Sequence, residues 1–544
     1  MKILLVHPEF PVTYWGVQRG LQFTRWRSSL PPLGLISLAA LLPAEWTLRL
    51  VDLNIDKLRD RDLLWADAVF VGGMRIQMPS MQAVLGRAKA LGRRTVVGGP
   101  AATTSPDEFP LADLVFQGEA EGRIPSLCEA LGAPPGEIRR LAPDPHAPRP
   151  NLAEVPIPRF DLLDLKAYAS MSVQFSRGCP FQCEFCDIIE IFGRVPRVKP
   201  VDRLLAELDT LYGLGWRGSV FVVDDNFIGH KPAARQLLAA LAPWQTERGW
   251  PYELYTEASV NLATDAGLVS GLVQAGFTSV FLGIETPSLE ALKETGKVQN
   301  LKFDLSEAVL TLNRAGLEVM AGFIVGFDSD GPEVFEAQRQ FIAGLPLPLA
   351  MVGLLMALPS TALWRRLERE GRLRTLAGGD QLERPNFTPV MDEVTLLRGY
   401  RDLLASLYSP EAYYARCEAY VRMAPRLPGR KRVTLHHLRV LASLMVGVGL
   451  GVSHRAIFWR LSWLAATKAP HNLSWLMGHV VIGEHMIRYT QEVVLPRIDA
   501  ELAALGAIGT PPGCRPTDPP EAAQRVDRLP SPDPGALTAP QACG

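Results

Sequence analysis

The sequence predicts an α/β protein: two successive parallel sheets followed by a helical region. Short apolar runs alternate with amphipathic stretches over the first ~130 residues, the pattern of βαβ units. The same alternation resumes at Met171 and continues through Met356. After about residue 375 the strand pattern stops, and long helical patterns rich in Leu, Arg, Tyr and Trp take over.

In the first unit, residues 1–132, the strands expected are Lys2–Val6, Thr47–Asp52, Ala68–Gly72, Thr95–Gly98 and Leu114–Gln117, with helices over Pro32–Leu42 and Ser80–Leu91. The first helix carries proline at its start, where a missing N–H costs nothing. Eight prolines between Pro134 and Pro158 exclude a helix or central strand, so residues 133–160 read as an interdomain linker. In the second unit, residues 161–375, the expected strands are Met171–Phe175, Ser219–Asp224, Tyr252–Ala258, Ser279–Ile284, Glu318–Val325 and Ala350–Met356. Helical patterns separate them, and six βα repeats predict a curved parallel sheet or partial (βα)6 barrel. Residues 376–508 read as a helical domain. The Pro/Ala/Asp-rich residues 509–544 lack apolar periodicity and are expected to be disordered.

The 544 residues carry 56 Lys+Arg against 57 Asp+Glu, a net charge of −1, which argues against a chain that coats nucleic acid. Seven cysteines form no disulfide framework; in a reducing cytosol, clustered cysteines bind metal more readily than one another. Met1-Lys2 leads into only four apolar residues before His7-Pro8, too few for a secretory segment, so a cytoplasmic location is expected. The first strand is followed by no G-x-G-x-x-G, and no P-loop motif occurs, which disfavours a dinucleotide or a P-loop nucleotide.

The decisive segment is Cys179-x-x-x-Cys183-x-x-Cys186, directly after the first strand of the second unit. Three thiolates on one loop suit three irons of a 4Fe–4S cubane and leave the fourth iron open to a small molecule. A zinc knuckle or incidental buried cysteines are the alternatives, but zinc wants a fourth local Cys or His. At these residues the chain resembles the radical S-adenosylmethionine superfamily, over roughly residues 165–375. The resemblance implies that Cys179, Cys183 and Cys186 hold the cluster and that S-adenosylmethionine chelates the open iron through its amino and carboxylate groups. One electron from the cluster then cleaves a C–S bond to give a 5′-deoxyadenosyl radical. It further implies that Phe185 lies against adenine, that Asp224 or Asp225 bonds the methionine amine, and that Glu257, Asn261 and Glu285 serve the ribose or carboxylate. Gly322 would pack beside adenine. The chain departs from the family in having Asp224-Asp225-Asn226 where a Gly-Gly-Glu-like element is common. The alternative for these acids is that they cap the following helix.

The first unit resembles the Rossmann-like, cobalamin-binding subclass of that superfamily through Pro31-Pro32-Leu33-Gly34, Val51-Asp52-Leu53-Asn54, Gly98-Gly99-Pro100 and Gly118-Glu119-Ala120-Glu121. The resemblance implies a cobalamin held near Asp52, Asn54, Gly98, Gly99 and Gly118. The D-x-H-x-x-G pattern is absent, so no histidine lower ligand is expected, and His7 reads as a satisfied polar residue. Met356–Thr361, Pro385-Asn386-Phe387, Gly399-Tyr400-Arg401 and Tyr408-Ser409-Pro410 resemble the helical extension found in cobalamin-type radical proteins, the hopanoid methylases included. The function implied is methyl transfer from S-adenosylmethionine through cobalamin to an unactivated carbon of a small molecule or lipid. The cluster would be reduced by an external one-electron donor of flavodoxin or ferredoxin type. The alternatives are oxidative cyclisation or rearrangement without methyl transfer, RNA modification (against the net charge), and an iron–sulfur redox sensor, which would not need a full βα core with acids at its strand ends.

One late stretch reads two ways. Arg422, Arg426, Arg430, Lys431, Arg432 and Arg439 precede or enter the apolar run Leu438–Val452, and Phe458, Trp459, Trp463 and Trp475 follow. An element lying on the inner face of an anionic membrane carries this composition. A core helix with a solvated basic loop is preferred, because spanning a bilayer takes ~20 apolar residues.

Overall fold

The computed structural model describes residues 1–134, 138–374, 382, 384–426 and 435–506. The first sheet is all parallel, with strands β1 (Lys2–His7), β2 (Thr47–Asp52), β3 (Ala68–Gly72), β4 (Arg94–Gly98), β5 (Leu114–Phe116) and β6 (Arg139–Leu141) in the order β2-β1-β3-β4-β5-β6. Its inner strands β1, β3 and β5 carry continuous buried apolar runs because helices cover both faces, whereas β2 and β6 at the edges carry Arg49, Arg139 and Arg140. Leu4, Val6, Val69 and Val97 fill one core, and Ile3, Leu5, Phe70 and Val96 fill the other. Strand order reverses between β1 and β3, which places a ligand crevice at their carboxyl ends. The stretch expected to be a linker contributes β6, which pairs with β5. As an edge strand it tolerates proline-rich flanks.

The hairpin β8 (Ser176–Arg177) and β9 (Arg197–Val198) stands apart from the second sheet. That sheet runs β14-β13-β12-β11-β10-β7, parallel throughout, with β7 (Ser170–Val173), β10 (Gly218–Val222), β11 (Tyr252–Ala258), β12 (Phe277–Glu285), β13 (Glu318–Val325) and β14 (Ala350–Leu354). Each strand lies beside its predecessor, the order of a half-barrel. Along β11, Tyr252, Leu254, Thr256 and Ala258 are buried, while Glu253, Tyr255 and Glu257 alternate to the more open inner face.

Helices complete the chain: Glu393–Leu407, Pro410–Met423, Leu435–Gly447, Arg455–Lys468, Leu473–Tyr489 and Leu495–Ala504. Asp392 and Ser409 cap the first two by accepting from Thr395 N and Ala412 N. Two tyrosines then cover the open edge of β14, and an arginine holds the loop that leads into it. Tyr408 OH donates to Ala350 O (2.6 Å), Tyr400 OH to Val352 O (3.0 Å) and Arg416 Nε to Leu347 O (2.9 Å). Residues 9–27 leave the first sheet and lie on the helix Leu473–Tyr489. Tyr489 OH donates to Val12 O (2.7 Å), and Tyr14 OH shares a hydrogen bond with Thr490 Oγ1 (2.7 Å).

The helix within the apolar run is not a core helix. Leu444 and Val448 are buried, but Leu438, Met445, Val446 and Leu450 are exposed, so tertiary packing covers only one of its two apolar faces. Arg430, Lys431 and Arg432 and the tail 509–544 lie outside the described residues. Among the described residues no helix is long and apolar enough to cross a membrane.

Candidate functional site

The cysteine loop leaves β8 through Gly178, whose φ of +93° favours glycine; a Cβ there would sit 2.7 Å from Gly193 O. Two backbone bonds shape the loop: Cys179 N donates to Gly193 O (3.3 Å) and Cys186 N to Cys183 O (3.2 Å). From the end of β10, Asp224 accepts from Phe175 N (2.7 Å) and Ser176 Oγ (2.6 Å), and Asp225 accepts from Gly178 N (3.0 Å). These acids therefore fix the entry to the cysteine loop. The alternative, that they cap the next helix, fails: His230 Nδ1 is the acceptor there, from Ala233 N. Burial pushes the Asp224 carboxyl up to about 7 and Asp225 up to about 6.

A second segment closes over the cysteines. Glu184 N donates to Thr295 O (2.9 Å), and Gln299 Nε2 lies 3.6 Å from Cys183 Sγ. Lys297 pairs with Glu285 and lies 5.8 Å from the centre of the Phe185 ring. Burial works against the Lys297 charge, yet Glu285 and the Cys183 sulfur outweigh it and hold the ammonium charged. From the other side, Asn226 Nδ2 stands 3.8 Å from Cys179 Sγ. Asn226 also bonds Ser259 Oγ (3.2 Å), which in turn bonds Asn261 Oδ1 (2.6 Å). Outside the loop, Glu184 pairs with Arg366, which also holds Asp328.

The donor set fits an iron–sulfur cluster. Burial pushes the Cys179 and Cys186 thiols up, so thiolates here need a compensating cation, and amide donors already face two of the sulfurs. Among the described residues no three acidic, cysteine or histidine side chains converge as the ligands of a single ion do. A cubane instead takes one thiolate on each of several irons.

The remaining residues of this half lie on the inner face. Burial, then the nearby Asp225 and Asp224, push the Glu257 carboxyl up to about 8, so it holds its proton near neutral pH. Glu285 sits at a register shift in β12 with φ +65°, a strained setting for a residue with a side chain. Phe185 packs near Phe327, with ring centres 6.2 Å apart. The space a side chain at Gly322 would fill is taken by the Phe281 ring, 3.0 Å from the Cβ position.

In the first sheet the expected residues divide. Gly99, at φ +86°, borders the crevice; a Cβ there would sit 3.2 Å from Gly73 O. Gly98 ends β4, and Gly118, at φ +76°, donates its N–H to Thr103 Oγ1 (2.9 Å). Asp52 and Asn54 are committed to the protein itself. Asp52 accepts from Asn54 Nδ2 (2.7 Å) and Tyr168 OH (2.8 Å), while Asn54 accepts from Phe10 N (2.9 Å). Burial lowers the His7 imidazole below its ordinary range, with Asp52 acting against it. A glycine-lined crevice with satisfied side chains fits a large cofactor held by backbone and shape.

Sequence reasoning missed Lys297 and Gln299, which belong to no local motif, and the ion pairs that join the two sheets. Arg177, next to the cysteine loop, pairs with Glu119 (2.7 Å) and Glu121 (2.8 Å) from the end of β5, and Arg197 pairs with Glu119 (2.9 Å). Burial would raise Glu121, but Arg177 outweighs it and holds the carboxyl below its usual range.

A family model described as the radical SAM superfamily matches residues 173–342, and one described as a domain of unknown function, DUF4070, matches 361–497. The chain is similar to an uncharacterized methyltransferase of Synechocystis sp., 40% identical over 92% of this chain and 94% of the relative. It is also similar to the hopanoid C-2 methylase of Rhodopseudomonas palustris, 35% identical over 90% and 94%. The radical S-adenosylmethionine methyltransferase TsrM of Kitasatospora setae, solved with cobalamin and a [4Fe-4S] cluster, shares the fold at TM-score 0.56 and 13% identity, over 90% of this chain and 99% of that one. So does OxsB, solved with aqua-cobalamin and S-adenosylmethionine, at TM-score 0.56 and 16% identity, over 94% and 82%. A cysteine loop at the mouth of a half-barrel, a doubly wound sheet above it and near full-length likeness to named methylases lead to one conclusion: the chain belongs to the cobalamin-dependent radical S-adenosylmethionine methylases.

Proposed function

We propose that this enzyme methylates an unactivated carbon of an uncharged polycyclic lipid held in the half-barrel. The observation that carries this reading is the aromatic belt on the inner face. Phe221 and Tyr255 stack with ring centres 4.7 Å apart, and the Trp15 ring meets Phe281 edge-on at 5.1 Å. Of the charged groups nearby, Lys297 pairs with Glu285, Glu257 holds its proton near pH 7, and Asp224 and Asp225 are bonded to the backbone that leads into the cysteine loop. Such a surface favours a broad apolar ligand over a carboxylate or phosphate. The hopanoid named in the 35% identical relative is a substrate of this class.

When bound, the cluster, S-adenosylmethionine and cobalamin supply the one-electron and methyl-transfer chemistry. The chain's own residues position and insulate. Cys179, Cys183 and Cys186 are the proposed cluster ligands. Asp224 and Asp225 hold the backbone that presents them, and Phe185 walls the S-adenosylmethionine side, whereas Gly322 is covered by the Phe281 ring. Glu257 keeps a proton on its carboxyl and offers it to a ribose or carboxylate oxygen, and Glu285 holds Lys297 beside the thiolates. Gly98, Gly99 and Gly118 form the proposed backbone cradle for cobalamin. Asp52 and Asn54 act indirectly, by fixing the loop after β2. An external one-electron donor of flavodoxin or ferredoxin type and a peripheral position at the inner face of the membrane belong to the same reading.

Cyclisation is not favoured. The methylase relatives match nearly the whole chain, whereas the Cereibacter sphaeroides magnesium-protoporphyrin cyclase is 25% identical over 54% of it. The test is anaerobic turnover with a pentacyclic triterpenoid and methyl-labelled S-adenosylmethionine. A labelled product heavier by one methylene supports the reading; a methylated product from a charged, non-lipid substrate alone overturns it.

A further inference from the structure

We infer that the helices Leu435–Gly447 and Arg455–Lys468 form a face that docks on an anionic lipid bilayer. Leu435 (72% exposed), Leu438 (52%) and Val446 (66%) recur on one face of the first helix, and Leu450 (67%) extends the stripe into the following turn. The second helix adds Trp459 (43%) and Trp463 (72%), one turn apart. The two stripes are joined, because Trp459 Nε1 donates to Gly449 O at 2.9 Å. Water faces apolar side chains here, the reverse of an ordinary surface helix.

Charge selects the occupant. Residues 419–483 contain nine Lys or Arg and no Asp or Glu, in a chain whose net charge is −1. Arg422 and Arg460 share Glu418, just outside that span, and exposed Arg439 and Arg455 lie on the same helix faces as the two stripes. A second copy of this chain would bring two basic faces together, and a nucleic acid has no use for exposed Leu, Val and Trp. An anionic bilayer satisfies both features, with tryptophan rings at the headgroup level and basic side chains on the phosphates. The element lies on the membrane rather than through it, since among the described residues no helix is long and apolar enough to cross.

The inner side of the same helix leads to the half-barrel. A Cβ on Gly447 would sit 2.7 Å from the Phe23 ring, and Trp15, on the same 9–27 segment, meets Phe281 on the inner face. As an entry route for substrate, the surface rests on the lipid reading above; as a membrane contact it stands on exposure and charge alone.

Flotation of the full chain with vesicles tests it, without substrate. The protein should float with phosphatidylcholine–phosphatidylglycerol vesicles at low salt, be released by added salt, and bind pure phosphatidylcholine weakly. Trp463→Glu and Val446→Glu should each lower the bound fraction by about ten-fold, and Arg439→Glu and Arg455→Glu by about five-fold each, from ~1 kcal/mol per basic residue. Because these side chains are exposed, thermal melting should not change. Wild-type protein that stays unbound at low salt overturns the inference. So do variants that abolish a dimer seen by light scattering while vesicle binding is unaltered. Turnover of detergent-dispersed triterpenoid by the same variants isolates the lipid reading, so either proposal can fail alone.

Discussion

The two parallel sheets use their carboxyl ends in opposite ways. At the ends of the first sheet the polar side chains are spent on the protein: Asp52 holds Asn54 and Tyr168, and Gln77 donates to Pro8 O at 2.6 Å. What borders the crevice is glycine, at Gly98, Gly99 and Gly118. At the ends of the second sheet the ionisable groups are buried together and perturbed, with Asp224, Asp225 and Glu257 all raised above ordinary carboxylates. One set of strand ends offers shape and main chain; the other offers titrating side chains and thiols. The difference teaches where chemistry is concentrated, because perturbed acids in a shared cavity mark reacting centres more often than scaffolds.

The strongest way to break this contrast is to remove a thiol. Cys179→Ala, Cys183→Ala or Cys186→Ala should each abolish iron binding and cleavage of S-adenosylmethionine, because the proposed ligand set has only three protein thiolates. Iron content and 5′-deoxyadenosine formation check this; retained cleavage in any one of them refutes the ligand assignment. Next is the junction between the sheets. Arg177→Met leaves the buried Glu121 without its ion-pair partner, while Glu119 keeps Arg197, and should cost ~3–5 kcal/mol, read as a lower melting temperature and faster proteolysis between the sheets.

Gly99→Val acts on the backbone end alone. A branched side chain at φ +86° and 3.2 Å from Gly73 O is strained, and cobalamin retention should fall about ten-fold with iron unchanged. Unchanged cobalamin binding would remove β4 from the cofactor cradle. The smallest effect concerns Glu257. Its folded pKa, about 8, lies above its unfolded value, so the native state binds more protons and stability falls as pH rises through that window. Glu257→Gln in the cofactor-free chain should therefore gain stability at pH 8, on the order of 1 kcal/mol or more, and flatten the dependence of melting temperature on pH between 5 and 8. A profile identical to wild type would mean that Glu257 is solvated and ordinary.

By itself the sequence determined five strands of the first sheet, the six of the second and the cysteine loop, because each is a local pattern, whereas β6 lies in the stretch that read as a linker. Continuous apolar runs such as Ile3–Val6 report a strand covered on both faces, alternation along Tyr252–Ala258 reports a strand with one open face, and three cysteines within eight residues share a loop whatever surrounds them. Asp224 and Asp225 were legible as acids at a strand end, but not as the acceptors that shape the cysteine loop, since their partners lie 47 to 49 residues away. Lys297 and Gln299 left no trace in spacing, for their partners stand on other elements. The pairing of Glu119 and Glu121 with Arg177, the crossing of residues 9–27 onto the helix Leu473–Tyr489, and the exposure of Leu438 and Val446 were decided only by tertiary structure. Periodicity states that a helix or strand has an apolar face. Which surface covers that face, or whether any does, is settled by contacts between residues hundreds of positions apart, as between Tyr14 and Thr490, 476 residues away.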